Sequence, residues 1–299
     1  MKKKILVIGS MNMDLVVEAE RYPKEGETLT GKHLSQIPGG KGANQAAAIG
    51  KLGGNVSFIS ACGNDQYADI LLASLKESGV DTEDVFRVKE NTGVALITVD
   101  SKGNNRIIVV QGANASLSPK RIDKIEQRVK EADYLLIQME LPFATVLHSI
   151  ELAHKYDTKI ILDPAPARPL PLDILNKIDY LLPNEGELKQ ILPDYESEDE
   201  IINTLFETGL KNLLLTKGEK GVSHYKADYR KDYKAIKVKA VDTTAAGDAF
   251  AGAFTTALAK GWGKEDAILF AIKAAAISVT RLGAQSSLPE LAEVEDFKG

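Results

Sequence analysis

The 299 residues are 44% hydrophobic and 26% charged, the balance of a folded chain with a sizeable core, which excludes a disordered or low-complexity segment. Lysine and arginine total 37 against 42 aspartate and glutamate, a net charge of −5, the wrong sign for a surface that neutralises phosphate backbones, so nucleic acid is excluded as a partner. A single cysteine, Cys62, excludes an internal disulfide and a cysteine-held metal cluster and points to a reducing compartment; His33, His148, His154 and His224 are scattered without zinc spacing.

The chain opens with Met1-Lys2-Lys3-Lys4 and the apolar run 5–8, which imitates the start of a signal peptide. The run stops at Gly9-Ser10 and Asp14 follows, so a strand is predicted. Residues 14–37 then alternate polar and apolar at period two, followed by a helical pattern over 43–52, a strand over 56–59 and a helix over 68–78. Period two returns over 93–110, interrupted by the turn-forming Asp100-Ser101-Lys102-Gly103-Asn104. Beyond it come a helix over 119–131, a strand over 134–137, a helix over 142–156, strands over 159–162 and 180–182, helices over 185–192 and 198–208, and a strand over 213–215. Lys273 and Arg281 interrupt the most apolar stretch near the C-terminus, so no membrane span and a cytoplasmic protein are expected.

Short runs apolar on both faces, alternating with helices, specify a doubly wound α/β structure with a mostly parallel sheet flanked by helices. The period-two regions read instead as strands with one wet face, forming a small β-sheet lid too slight to stand alone. It would cover a site or pair with a second copy of the chain. No linker divides residues 1–299, and one domain is expected with the lid strands inserted in it.

Two segments carry chemistry. In Asp242-Thr243-Thr244-Ala245-Ala246-Gly247-Asp248, which follows a strand-like stretch at Val241, small residues crowd the start of a long helical pattern, so the N–H groups of Ala245, Ala246 and Gly247 would face one space and form an anion hole, with the Asp248 carboxylate beside it as a proton acceptor. A lone aspartate there would simply cap its helix. The second segment, Pro38-Gly39-Gly40-Lys41-Gly42-Ala43-Asn44, allows close approach of backbone to ligand and adds the donors Lys41 and Asn44. Neither a Walker phosphate loop nor a Gly-x-Gly-x-x-Gly turn exists in the chain, which counts against P-loop hydrolysis and dinucleotide binding.

With these two signatures in order, and from Gly9-Ser10-Met11-Asn12-Met13-Asp14 through to Arg281-Leu282-Gly283-Ala284-Gln285, the whole chain resembles the ribokinase family of carbohydrate kinases. The resemblance implies an α/β core with a β-lid, a sugar held between them, and ATP-dependent phosphoryl transfer to the 5-hydroxyl of ribose with Asp248 as base. It implies a sugar pocket of Asn12, Asp14, Gly40, Lys41, Gly42, Ala43, Asn44 and Glu140, and it places Asn184 and Glu187 near the phosphates, Glu187 with Mg²⁺ and its waters. Thr216, Lys217, Gly218, Glu219, Lys220 and Gly221, with Gly247, would wrap ATP. A K⁺ ion would be held by Asp242, Thr244, Ser278, Arg281, Gly283 and Ser287, several through backbone carbonyls; an ion pair between Asp242 and Arg281 is the plainer alternative. A homodimer through the lid is expected. Ala245 and Asp163 depart from the family pattern, and neither is expected to touch the chemistry directly. Related kinases of deoxyribose, a nucleoside, fructose or a keto-sugar acid remain open, as does a non-enzymatic sugar- or nucleotide-binding regulator.

Overall fold

The computed structural model describes residues 2–298. β1 (Lys4–Ile8) leads into β2 (Asn12–Glu18), β3 (His33–Gly39) and α1 (Lys41–Lys51). Next come β4 (Asn55–Ile59), β5 (Ala61–Cys62), α2 (Gln66–Glu77), β6 (Phe86–Arg87), β7 (Gly93–Val99) and β8 (Asn105–Val110). The central part runs α3 (Pro119–Asp123), α4 (Glu126–Glu131), β9 (Tyr134–Ile137), α5 (Phe143–Lys155), β10 (Lys159–Leu162), α6 (Leu172–Leu175), β11 (Tyr180–Leu181), α7 (Glu185–Ile191) and α8 (Glu198–Glu207). β12 (Leu213–Thr216), β13 (Val222–Lys226), β14 (Tyr229–Tyr233), α9 (Ala246–Ala259), α10 (Lys264–Ser278) and α11 (Leu291–Asp296) complete it.

Eight strands form the main sheet in the order β14-β13-β12-β11-β10-β9-β1-β4. Pairing is parallel from β4 to β12 and antiparallel for β13 and β14. The both-face apolar runs explain this: Ile5 and Val7 of β1 enter one core with α1, α9 and α10, while Leu6 and Ile8 enter a second core with α5 on the opposite face. The expected doubly wound α/β architecture is what the chain adopts. Among the described residues no helix is long and apolar enough to cross a membrane.

The second sheet has the order β3-β2-β7-β8, with β2 and β7 parallel and the outer pairs antiparallel. Its strands lie in the two period-two regions, though residues 19–32 form a loop instead of strand, held by Arg21 on Glu27 and Lys32 on Glu20. The hairpin turn closes at Asp100–Asn104, with Gly103 at φ 81°.

Other segments also depart from the sequence reading. The helix over 119–131 is two short helices, because Lys124 and Ile125 bond three residues back and the tightened turn lets Ile122, Ile125 and Val129 all reach the core. The strand-like stretch before α9 is not a strand: the amides of Val241 and Asp242 are both spent on the Val279 carbonyl, at 2.7 and 3.2 Å. The β13–β14 hairpin was not anticipated, since an edge hairpin carrying Lys226, Arg230, Lys231 and Asp232 lacks the apolar signature of the inner strands.

Close backbone approaches bring α1 and α9 together at the mouth of β1. A Cβ on Gly42 would lie 2.5 Å from Gly9 Cα, and one on Gly252 would lie 2.6 Å from Ala48 Cβ and 3.0 Å from the Gln45 carbonyl. Only glycines permit this seam, which places Asn44 and Gln45 of α1 against the first turn of α9.

Candidate active site

Asp248 sits in the first turn of α9, yet its carboxylate does not cap that helix. It accepts from α1 instead, Oδ2 from Asn44 Nδ2 at 2.9 Å and Oδ1 from Gln45 Nε2 at 3.0 Å. Burial raises its pKa above the ordinary carboxylate value, against the pull of Lys41 and the two amide donors. Of the three expected anion-hole amides, that of Ala246 already makes a long 3.3 Å bond to the Thr243 carbonyl. Ala245 is buried and Gly247 is exposed, and nothing beyond its own chain neighbours and helix backbone stands within 4 Å of where a Gly247 Cβ would be.

On the lid side, Asp14 of β2 is half-buried with its pKa pushed up to about 7, first by burial and then by the charges of Glu140 and Asp248. Gly39 makes room for it: a Cβ there would come within 2.6 Å of the Asp14 carboxyl carbon. Gly40 precedes α1 at φ 89°, a left-handed conformation that glycine adopts freely. Glu140 accepts from Ser10 Oγ and from the Lys41 backbone amide (3.1 Å). Desolvation works against the charged Lys41 ammonium, but Asp248, Asp163, Glu140 and Glu187 outweigh it and raise its pKa. Asn12 is buried and its side-chain oxygen is taken by Asn114 Nδ2 at 2.8 Å, which also bonds the Met11 backbone. Asn114 therefore locks the β1–β2 turn and holds the Asn12 side chain to it. Gly42 and Ala43 are buried in α1, so their part in the pocket is steric.

A cavity of about 210 Å³ continues from Lys41 past Gly247 to Asp163, Asn184, Glu187 and Thr216. Asn184 and Glu187 form a capping box at the start of α7: Asn184 Oδ1 accepts from the amides of Gly186 (2.9 Å) and Glu187 (2.8 Å), and Glu187 Oε2 from the amide of Asn184 (2.8 Å). Of the 216–221 segment only Thr216 lines the cavity. Lys217 turns to Glu198 at 3.3 Å, Gly218–Lys220 form a single 3₁₀ turn with Lys220 3.7 Å from Glu185, and Gly221, at φ 100°, is held against the Tyr233 carbonyl.

Asp242 ties the segment before α9 to the loop after α10. Its Oδ1 accepts from Thr244 N (2.9 Å) and Oγ1 (2.5 Å), and its Oδ2 from Gly283 N (3.0 Å). The alternative ion pair with Arg281 does not form, because Arg281 is drawn to Glu293 at 2.5 Å. Ser278 and Ser287 bond to each other at 2.9 Å, so their hydroxyls are used internally.

Asp163, a departure from the family pattern, is linked to Asp248 through one intervening side chain. Its Oδ2 accepts from Gln45 Nε2 at 2.6 Å, the same nitrogen that serves Asp248, so it stands one side chain from the site's chemistry. Its pKa is raised to about 7, chiefly by burial, with Asp248 and Glu187 adding to it against Lys41 and Gln45. Ser10, Gln45, Asn114 and Gln138 were missed as well. They are ordinary polar residues in sequence, and only Ser10, inside the Gly9–Asp14 segment, and Gln45, adjacent to Asn44 on the same helix, carried any signal. Cys62 is buried, and the buried His224 bonds Asn212 at 3.2 Å, far from any role here.

The chain has relatives of known family. The family model for pfkB carbohydrate kinases matches residues 2–291. A ribokinase of Haemophilus influenzae is 39% identical over 303 residues, covering 99% of both chains. A deoxyribokinase of Salmonella typhi is 37% identical over 299 residues, covering 98% of both. The structure of Arabidopsis thaliana ribokinase complexed with ribose and ATP superposes with a TM-score of 0.92 at 34% identity over the full length of each chain. On this footing the chain belongs to the pfkB family of carbohydrate kinases and is an ATP-dependent sugar kinase.

Proposed function

We propose that the protein transfers the γ-phosphoryl group of ATP to the 5-hydroxyl of D-ribose, giving ribose 5-phosphate, with Asp248 as base and the amides of residues 245–247 receiving the moving charge. The observation that carries this reading is the buried Asp248 carboxylate, held by Asn44 and Gln45 within reach of the charges of Asp14, Glu140 and Lys41, and next in sequence to Gly247 of the Lys41–Glu187 cavity. Similarity to a ribokinase described with ribose and ATP supports the choice of substrates.

Asp14, Asn44 and Glu140 supply the acceptors and donors that a polyol needs, with Asn12 and Lys41 beside them. Asp248 orients the attacking hydroxyl and takes its proton as the bond to phosphorus forms and the bond to the ADP oxygen breaks. A pKa raised by burial makes it a better base than a solvated aspartate. Lys41 neutralises phosphate charge, and positioning dominates the rate. Glu187, with one oxygen spent on its cap and the other free, fits Mg²⁺ carried by the nucleotide, since that ion takes one or two carboxylates and keeps waters. When bound, it would neutralise charge on the phosphates. Lys217 to Gly221 would meet the adenosine end of ATP beyond the cavity.

Asp242, Thr244 and Gly283, drawn together by hydrogen bonds, fit a K⁺ site completed by carbonyls at Ser278, Arg281 and Ser287; when bound, the ion would fix the direction of the amide dipoles. The lid is proposed to pair with that of a second subunit, the whole chain being one folding unit in the cytoplasm.

Similarity to a deoxyribokinase, at 37% identity against 39% for the ribokinase, keeps 2-deoxyribose as the second reading. A coupled assay over ribose, 2-deoxyribose, fructose and a nucleoside decides between them. Ribose should win by a factor of ~10 or more in kcat/KM, because the 2-deoxy sugar leaves a buried partner unpaired. In the same assay Asp248→Asn should lower kcat by ~10³-fold or more while sugar binding, followed by calorimetry, changes little. A higher kcat/KM on 2-deoxyribose would replace ribose as the substrate, and a near-normal kcat would remove Asp248 as base.

A further inference from the structure

We propose that Gln45 is a positioning residue for Asp248: its amide group holds Asp248 and Asp163 in fixed orientation from a single nitrogen, and is itself aimed by Gln138. The proposal rests on the reading of Asp248 as base.

Four buried side chains from four elements meet here: Gln45 on α1, Asp248 on α9, and Gln138 and Asp163 just past the ends of the adjacent strands β9 and β10. Gln45 Nε2 has two protons and two carboxylate partners, Asp163 Oδ2 at 2.6 Å and Asp248 Oδ1 at 3.0 Å, so both protons are used. The reverse orientation of the amide would set its oxygen against two carboxylates, so the charges decide which way it points. Its oxygen then faces Gln138 Nε2 at 2.6 Å, closing the chain Gln138 to Gln45 to the acid pair. Gln138 fits because residue 9 is glycine: a Cβ there would overlap Gln138 Oε1.

The consequence is rotational. Asn44 holds one oxygen of Asp248 and Gln45 the other, so neighbouring residues of one helical turn pin the carboxylate plane. Burial without such donors would leave Asp248 free to turn, and small errors in the placement of a base carry large rate penalties. A structural role alone would fill the space and satisfy polar atoms without acting through Asp248, and this difference is measurable.

The test compares the full-length wild type, Gln45→Met, Asp248→Asn and the double variant for kcat and for KM of ribose and of ATP, with thermal midpoints as the control for folding. Methionine keeps the length of glutamine and removes its N–H groups. Gln45→Met should lower kcat ~10²-fold with both KM values within about threefold, and the double variant should be no slower than Asp248→Asn alone. Wild-type kcat in Gln45→Met, or the same factor lost again in the Asp248→Asn background, overturns the positioning role while leaving Asp248 as base. Near-normal kcat in Asp248→Asn overturns both readings. If Gln45→Met does not fold, Gln138→Met tests the same chain at one remove: it should cost ~10-fold in kcat at unchanged KM, and wild-type kcat there overturns the proposal.

Discussion

Asp14 shows how neighbours set what a side chain can do. Its pKa of about 7 comes from burial and from the negative charges of Glu140 and Asp248, so in the free protein the neutral form persists up to about pH 7. The folded state therefore binds a proton that the unfolded chain releases near pH 4, and this contribution to stability is lost as pH rises through about 7. Sugar hydroxyls donating to Asp14 need the ionised form, so the dissociation constant for ribose should rise by up to ~10-fold per pH unit below about 7, and Asp14→Asn should bind more weakly but without that slope. Calorimetric titration from pH 5.5 to 8 checks it, and a flat wild-type profile would contradict the assignment. Asp242 makes no contact with Asp248 and acts on the backbone before α9. Asp242→Ala should lower kcat ~10-fold or more and abolish any stimulation by K⁺ over Na⁺, read from initial rates at constant ionic strength. A rate that ignores K⁺ in the wild type would return Asp242 to a purely structural tie.

Among the elements, the α1–α9 pair matters most, because it carries Lys41, Asn44 and Gln45 on one side and Asp248 on the other. Their approach depends on Gly252, which faces Ala48 and the Gln45 carbonyl with no room for a methyl group. Gly252→Ala should separate the helices, cost ~1–3 kcal/mol in urea unfolding through overpacking, and depress kcat beyond that loss by stretching the Asn44 and Gln45 bonds. An alanine variant with unchanged midpoint and rate would mean that the seam has slack. The same dependence explains why the site was only partly legible. Glycines at 39, 40 and 42 and the run before Asp248 stand out in sequence, whereas Gln45, Gln138 and Asp163 come from separate segments and gain meaning only when β9, β10 and α1 converge.

For the molecule as a whole, the lid is the unfinished part. β8 lies at its edge, exposed along its entire length, with Ile108 66% accessible and Ile107, Val109, Val110 and Leu34 also bare. An open apolar edge strand invites pairing, and a second lid is the partner proposed here. Sedimentation at micromolar concentration should give a dimer for the wild type and a monomer for Ile108→Asp, with a raised KM for sugar because Asp14 belongs to the same sheet. A monomeric wild type would defeat the proposal.

What the sequence determined by itself follows from local rules. Apolar runs set the buried parallel strands, period two marked the lid, and glycine-rich signatures located the start of α1 and the N-terminus of α9. It misjudged segments whose state depends on neighbours, such as the broken 119–131 helix, the polar edge hairpin and the residues before α9 held by Val279. Tertiary structure alone decided that Arg281 answers Glu293 instead of Asp242, and that Asp163 shares a nitrogen with Asp248. Charge pairing and amide orientation are settled by distances of about 3 Å between residues such as Gln45 and Asp248, 203 positions apart, and no local pattern encodes those distances.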